Sequence, residues 1–369
     1  MKVAFDHQIF TLQSYGGLSR YQSILANELF KNNIDVKVFT GLHQNKYISN
    51  LPSDIVNGRY IKQYPPKTKK LFYLVNHCIS QTQIKFWQPD IIQETYYSVF
   101  PKINNNSIRV VTAADMIHEL FQSHFSKNDK TAKRKRESFN RADHIFSISN
   151  HTKNDLVELY GINESKISVV HLGVDIKRFQ QQNSIKLDVN PPYILYVGDR
   201  GGYKNFDRFI KACGQSKIIK NNIKILAFGG GAFSDGESLA IRNLGFKGNS
   251  VMQVGGDDET LAYLYANAIC FVYPSLYEGF GLPPLEAMAS GCPVVSSNTS
   301  SMPEVINQAG EFFDPSKTEE ICHAIEKVII SEERRKELIE LGFKNVSLFS
   351  WDNTVSKTLE IYKGLIGNK

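Results

Sequence analysis

Cysteine is scarce and unpatterned. The five cysteines, Cys78, Cys213, Cys270, Cys292 and Cys322, lie far apart and form no C-x-x-C pair. That argues against a disulfide framework or a zinc site and for a reducing compartment. No run of ~18 apolar residues occurs, so no membrane-spanning helix is expected. The start, MKVAFDHQIF, alternates apolar with polar residues and no small-residue cleavage site follows. It reads as a first strand and not as a signal peptide. Glycine (25) and proline (13) are too few for a collagen-like or low-complexity chain. No G-x-G-x-x-G follows the first strand; HQIFTLQSYGG stands there. A dinucleotide oxidoreductase needs that fingerprint, so hydride chemistry is disfavoured.

An excess of charge of one sign is also small, with 43 Lys+Arg against 37 Asp+Glu. An excess of +6 is no footprint of a nucleic-acid partner. The distribution is less even. Residues 1–180 carry 24 basic and 15 acidic side chains, leaving 19 and 22 for the rest.

A length of 369 residues suits two domains. Short Val/Ile-rich runs alternate with segments of helical period. In the first half the expected strands are Val3–Asp6, Asp35–Thr40, Ile91–Glu94, Ile108–Thr112, Ile145–Ser149 and Ile167–His171. Strands apolar on both faces, separated by helices, imply parallel sheets covered on both sides. The pattern breaks at QQQNSIKLDVNPP, 180–192, the linker candidate, then restarts with strands near 193, 223, 250, 269 and 293. The expected domains are therefore 1–180 and 190–351. In such sheets ligands meet the carboxyl ends of the strands, and a cleft between two halves is the expected site.

The most informative segment is YPSLYEGFGLPPLEAMASGCPVVSS, 273–297. A strand is followed by Glu278, a Gly279-Phe280-Gly281 turn, Pro283-Pro284, and a helix carrying Glu286. Proline suits a first helical turn, and the free N–H groups there favour an anion. Carboxylates suit hydroxyl-rich ligands. Lys204 follows another strand in a Gly-rich loop, a good place for a phosphate-binding point charge.

This segment resembles the donor-binding signature of retaining glycosyltransferases of family 4. The likeness extends through Gly16-Gly17, SNHTKNDLVELYG at 149–161, HLGVDIKRF at 171–179 and YVGDRGGYKN at 196–205. It implies the GT-B fold: two Rossmann-like doubly wound α/β domains, with a last helix of about 352–369 crossing back to the first. It implies that Glu278 and the backbone of Phe280, Gly281 and Leu282 hold the donor sugar, Glu286 the ribose and Lys204 the diphosphate. Gly16, Gly17, Gly198, Gly229 and Val254 would lie near the donor. Asp257-Asp258 is not a D-x-D metal motif, and the family implies neither metal nor other cofactor.

The chain also departs from the family pattern. An Arg commonly stands directly after the glycine equivalent to Gly198 or directly before the lysine. Here those positions hold Asp199 and Tyr203, which leaves Arg200 as the substitute. In VVTAADMIHELF, 110–121, alignment of Thr112 and Asp115 puts Ala114 where the family has a histidine. Either the residue was replaced and the enzyme is weakened or inactive, or another group, such as His118, serves.

The implied activity is transfer of a hexose, GDP-mannose being the first-choice donor and a UDP-sugar the alternative, to a saccharide or lipid-linked acceptor in bacterial surface polysaccharide synthesis. A non-catalytic nucleotide-sugar-binding protein is the second reading. Basic stretches at Lys67–Lys70 and Lys127–Arg136 suggest contact with anionic headgroups, hence a cytoplasmic protein peripheral at the inner membrane face.

Overall fold

The computed structural model describes residues 1–98, 106–180 and 191–367. The linker expected at 180–192 therefore lies mostly outside the described residues. The chain divides into two compact units, Met1–Leu172 with Trp351–Lys369, and Gly173–Ser350. The first boundary thus falls before the one expected from composition, and the HLGVDIKRF segment is split by it.

In the first unit, seven strands are β1 (Lys2–Phe5), β2 (Asp35–His43), β3 (Val56–Tyr60), β4 (Ile91–Glu94), β5 (Ile108–Ala113), β6 (His144–Ser147) and β7 (Ile167–Val169). They form one sheet in the order β3-β2-β1-β4-β5-β6-β7, all pairs parallel. β4, β5 and β6 are buried along their whole length. Arg109 is tolerated in β5 because Glu94 of the adjacent β4 accepts its guanidinium at 2.8 Å and that of Arg141 at 2.9 Å. The helix Trp351–Gly367 belongs to this unit. Its Tyr362 hydroxyl donates to Gln93 Oε1 at 2.7 Å, and Thr354 Oγ1 donates to the His171 carbonyl at 2.8 Å.

In the second unit, six parallel strands are β8 (Tyr193–Val197), β9 (Lys224–Phe228), β10 (Val251–Val254), β11 (Cys270–Tyr273), β12 (Val294–Ser297) and β13 (Gly310–Phe313), in the order β10-β9-β8-β11-β12-β13. One face packs Tyr196, Ile225, Cys270 and Val272 against Phe206, Phe209, Ile321, Ile325 and Val328. Both sheets reverse strand order beside their first strand. The crevice at the carboxyl ends there is where α/β sheets bind ligands.

Candidate active site

Every donor-side position singled out from residue 198 onward lies on or just after the carboxyl end of a second-unit strand, or on the helix that follows β11. Gly198 follows β8, Gly229 follows β9, Val254 ends β10, and Glu278 lies in the loop after β11. Parallel register alone brings these ends side by side. Gly198 N–H donates to the Phe228 carbonyl at 3.0 Å and Gly229 N–H to Val254 at 3.1 Å.

Lys204 and Glu278 form the centre of this edge. Lys204 Nζ lies 2.7 Å from Glu278 Oε1, both side chains largely buried. Ser275 Oγ donates to the same oxygen at 2.6 Å. The Leu276 N–H donates to the Tyr203 carbonyl at 2.7 Å, tying the lysine loop to the carboxylate loop. Tyr273 lies beneath, its phenol pushed far up by burial first and by Glu278 second, so it stays neutral. The turn is fixed from β12: Glu278 N–H donates to Ser300 Oγ, and Ser301 Oγ donates to the carbonyls of Glu278 and Phe280 at 2.9 and 2.7 Å. Sequence reading passed over Ser275, Ser300 and Ser301. The Ser-rich run after β12 was the available signal, because that strand end neighbours β11.

Gly281 precedes the helix Leu282–Ala289 with φ +118°, and a Cβ there would meet Met302 at 3.2 Å. Glycine is thus required both by backbone and by space. Pro283 and Pro284 occupy the first helical turn, where an N–H is not needed. Glu286 follows on this helix, half-buried.

Arg200 needs correction. All of its N–H groups are engaged: Nε to Glu237 Oε1 at 2.7 Å, Nη1 to the carbonyls of Gly229 and Gly231 at 3.0 Å, and Nη2 to Ala232 at 3.0 Å and more weakly to Glu237. Phe233 stacks beneath it at 4.7 Å. A guanidinium so saturated holds the glycine loop and leaves no donor for a phosphate. Its hydrogen bond holds Glu237 down at about 2.

In the first unit, the helix Gly17–Lys31 begins at Gly17, with Gly16 extended before it. A Cβ on Gly16 would meet Gln13 Oε1 at 2.5 Å, whereas one on Gly17 would meet nothing. Ala114 follows β5, and its N–H donates to Tyr97 Oη at 3.2 Å. Asp115 accepts from the Ile117 N–H at 3.0 Å and from Lys135 Nζ at 2.8 Å. Lys135 also meets Glu119 at 3.1 Å, and Tyr160 donates to Glu119 at 2.6 Å. Burial works to raise the Asp115 pKa, but Lys135 outweighs it and holds the carboxyl below its usual range. His118 lies on the short helix Ile117–Leu120, its ring stacked on Phe125 at 4.0 Å. Burial first and Lys135 second push it down, so it is neutral at pH 7.

The Lys127–Arg136 stretch is a second correction. It is not one exposed cationic patch. Lys135 is 1% exposed and faces inward, Lys133 approaches Glu137 at 3.8 Å, and Arg136 lies over the Tyr160 ring. Among the described residues no group of three or more His, Cys, Asp or Glu side chains could hold a metal ion.

The carboxyl-edge arrangement agrees with two family matches that follow one another along the chain. Residues 15–178 match Glycosyltransferase Family 4, and residues 177–345 match Glycosyl transferases group 1. The chain belongs to glycosyltransferase family 4. The O-antigen chain mannosyltransferase B of Escherichia coli is 30% identical, the match covering 62% of each chain. This family 4 chain thus aligns with under two thirds of that relative's length. The O-antigen chain mannosyltransferase RfbU of Salmonella typhimurium is 25% identical over 87% of this chain and 88% of its own. The GT-B fold is shared with Anabaena HepE, solved in complex with UDP-glucose, at a TM-score of 0.73 and 17% identity, covering 99% of this chain and all of that one.

Proposed function

We propose that this family 4 glycosyltransferase moves a hexose, mannose from GDP-mannose first, onto a saccharide acceptor in surface polysaccharide synthesis. The observation that carries the reading is the Lys204–Glu278 pair at the carboxyl edge of the second sheet, beside a helix N-terminus opened by Gly281. Two mannosyltransferase relatives, both named for O-antigen chains, support the sugar and the setting.

In this reading the bond between the anomeric carbon and the donor phosphate oxygen breaks as the acceptor oxygen bonds the same carbon. The acceptor proton passes to a phosphate oxygen of the leaving nucleoside diphosphate. Charge grows on that diphosphate and on an oxocarbenium-like ring. Lys204 and the N–H groups opening the helix at Leu282 stabilise the diphosphate, preorganised so that little rearrangement is needed. Glu278 and the backbone at Phe280–Leu282 take the sugar hydroxyls, and Glu286 takes the ribose. Gly198, Gly229 and Val254 let the backbone approach the nucleotide. The transfer retains anomeric configuration and uses no metal.

Calorimetric titration with GDP, UDP and ADP tests this first. One nucleotide binds tightly, and Glu286→Ala abolishes that binding. NMR of the product anomer then reads the stereochemistry. Binding of none of the three, or of NAD alone, overturns the reading. The methyl group of Ala114, which cannot hydrogen-bond a sugar hydroxyl, favours one alternative: a nucleotide-sugar-binding protein without transfer. Nucleotide binding with no turnover of any GDP- or UDP-sugar would select it.

A further inference from the structure

The helix Lys69–Trp87 is built inside out. Toward the first sheet it buries Asn76, Ser80 and Ile84. Asn76 accepts from the Leu42 N–H at 2.8 Å and donates to the Leu42 carbonyl at 2.7 Å and to Thr11 Oγ1 at 3.0 Å. The opposite side exposes Leu71 (60%), Leu74 (49%), Val75 (39%), Ile79 (36%) and Phe86 (83%), with Cys78 also exposed. These positions follow i, i+3, i+4, i+7, i+8 and i+15, so they fall on one stripe. At ~1.5 Å per residue the stripe is roughly 20 Å long. Leu71, Leu74, Val75 and Ile79 neighbour one another over successive turns, an exposed apolar cluster of the kind that marks an interaction site, and Phe86 continues the face beyond the exposed Thr82 and Lys85.

Charge selects the occupant. From residue 55 to residue 89 there is no Asp or Glu, while Arg59, Lys62, Lys67, Lys69, Lys70 and Lys85 all fall in that interval. Lys67, Lys69 and Lys70 meet Arg134 around a cavity of about 630 Å³ at the start of the helix, walled by Leu12, Tyr73 and Tyr97. Among the described residues these four cations have no ion-pair partner. An apolar stripe flanked by cations alone repels a second copy of itself and complements a surface that is apolar within and anionic at its face.

We propose that the outward stripe of the Lys69–Trp87 helix lies in the interface of an anionic phospholipid bilayer, with the cations around the cavity receiving the lipid phosphates. Lysine stems lie along the apolar boundary while their ammonium groups reach the headgroups. The Thr131–Arg141 helix adds only Arg134, since Lys135 is spent on Asp115 and Glu119. This goes beyond the transfer reaction and does not depend on the identity of the donor.

Flotation of the full chain with vesicles tests it, using phosphatidylcholine alone and phosphatidylcholine mixed with phosphatidylglycerol. The wild type floats with the anionic vesicles and not with the neutral ones. Lys69→Gln/Lys70→Gln weakens binding roughly tenfold or more, because two ammonium groups no longer meet the anionic headgroups. Leu71→Ser/Leu74→Ser/Phe86→Ser abolishes it. Calorimetry with GDP and UDP on each variant keeps the two readings apart, because these residues lie outside the donor site and nucleotide binding is unchanged. Absence of flotation, equal flotation on both vesicles, or wild-type flotation of the serine variant overturns the proposal. So does light scattering that shows a dimer which the serine variant converts to monomer.

Discussion

Lys204 Nζ and Glu278 Oε1 are 2.7 Å apart, and Glu278 also accepts the Ser275 hydroxyl. In the proposed reaction the cation that meets the diphosphate is thus held, before donor binds, by the carboxylate proposed for the sugar. The two roles predict opposite effects on the product nucleotide. Glu278→Gln frees Lys204, so GDP binds as well as or better than in the wild type while kcat falls ~100-fold through the missing charge-assisted hydrogen bond to the sugar. Lys204→Ala weakens GDP binding and lowers kcat by ~10²–10³, the range for removing a leaving-group stabiliser. Calorimetry beside a transfer assay checks both, and equal GDP affinity in all three proteins would refute the assignment.

The Arg200–Glu237 pair gives a pH prediction. Glu237 titrates at about 2 in the fold, held there first by the Arg200 hydrogen bond, against an ordinary value of 4.5. A depressed carboxylate contributes stability that is complete above 4.5 and is lost as pH falls toward about 2. That contribution is about 3 kcal/mol at most, and solvent screening lowers it. The Tm gap between wild type and Glu237→Gln should therefore be widest above pH 5 and close between pH 4.5 and 2. A gap that stays constant with pH would contradict the linkage.

How much of this was visible in the sequence depended on whether a residue's partner was near it along the chain. The strands β4, β5, β11 and β12 were legible because apolar runs buried on both faces need no partner to be recognised. The edge strands β3 (VNGRY) and β13 (GEFF) were not, since each carries a glycine and at least one polar residue and shows no Val/Ile-rich run, unlike the edge strands β7 (ISV) and β10 (VMQV). The signature around Glu278 was legible because its strand, turn and helix are contiguous. Arg200 and Lys135 were misread as free cations. Their partners, Glu237 for one and Asp115 with Glu119 for the other, lie 16 to 37 residues away, and only the fold brings them together. The outward stripe on Lys69–Trp87 has helical period, but period alone does not say which face is inside.

Lys135 leads to a stability prediction with an internal control. It is buried between Asp115 and Glu119, so Lys135→Met leaves two carboxylates without their cation. Breaking a buried pair from one side costs ~3–5 kcal/mol. The Asp115 pKa should rise with it, since Lys135 is what holds it down. Lys133→Met, two residues away on an exposed pair, should change stability by less than ~0.5 kcal/mol. Urea unfolding of both variants checks the contrast.

Position 114 decides whether the chain lacks a catalytic group or uses another. The Ala114 backbone is fixed by Tyr97 Oη, and Asp115 beside it is locked by Lys135 and the Ile117 N–H. A side chain placed at 114 therefore starts from a defined strand end. Ala114→His should raise kcat/KM by about tenfold, the worth of one hydrogen bond to a sugar hydroxyl, with nucleotide affinity unchanged. His118 supplies the control. Its ring is stacked on Phe125, and burial first and Lys135 second push its pKa down, so any inflection it gives the pH–rate profile lies below 6.5. If His118→Ala is as active as the wild type while Ala114→His is faster, the missing group is the one at 114. If His118→Ala abolishes transfer and Ala114→His does not accelerate it, His118 performs that role from the following helix, and the methyl at 114 is part of a working site.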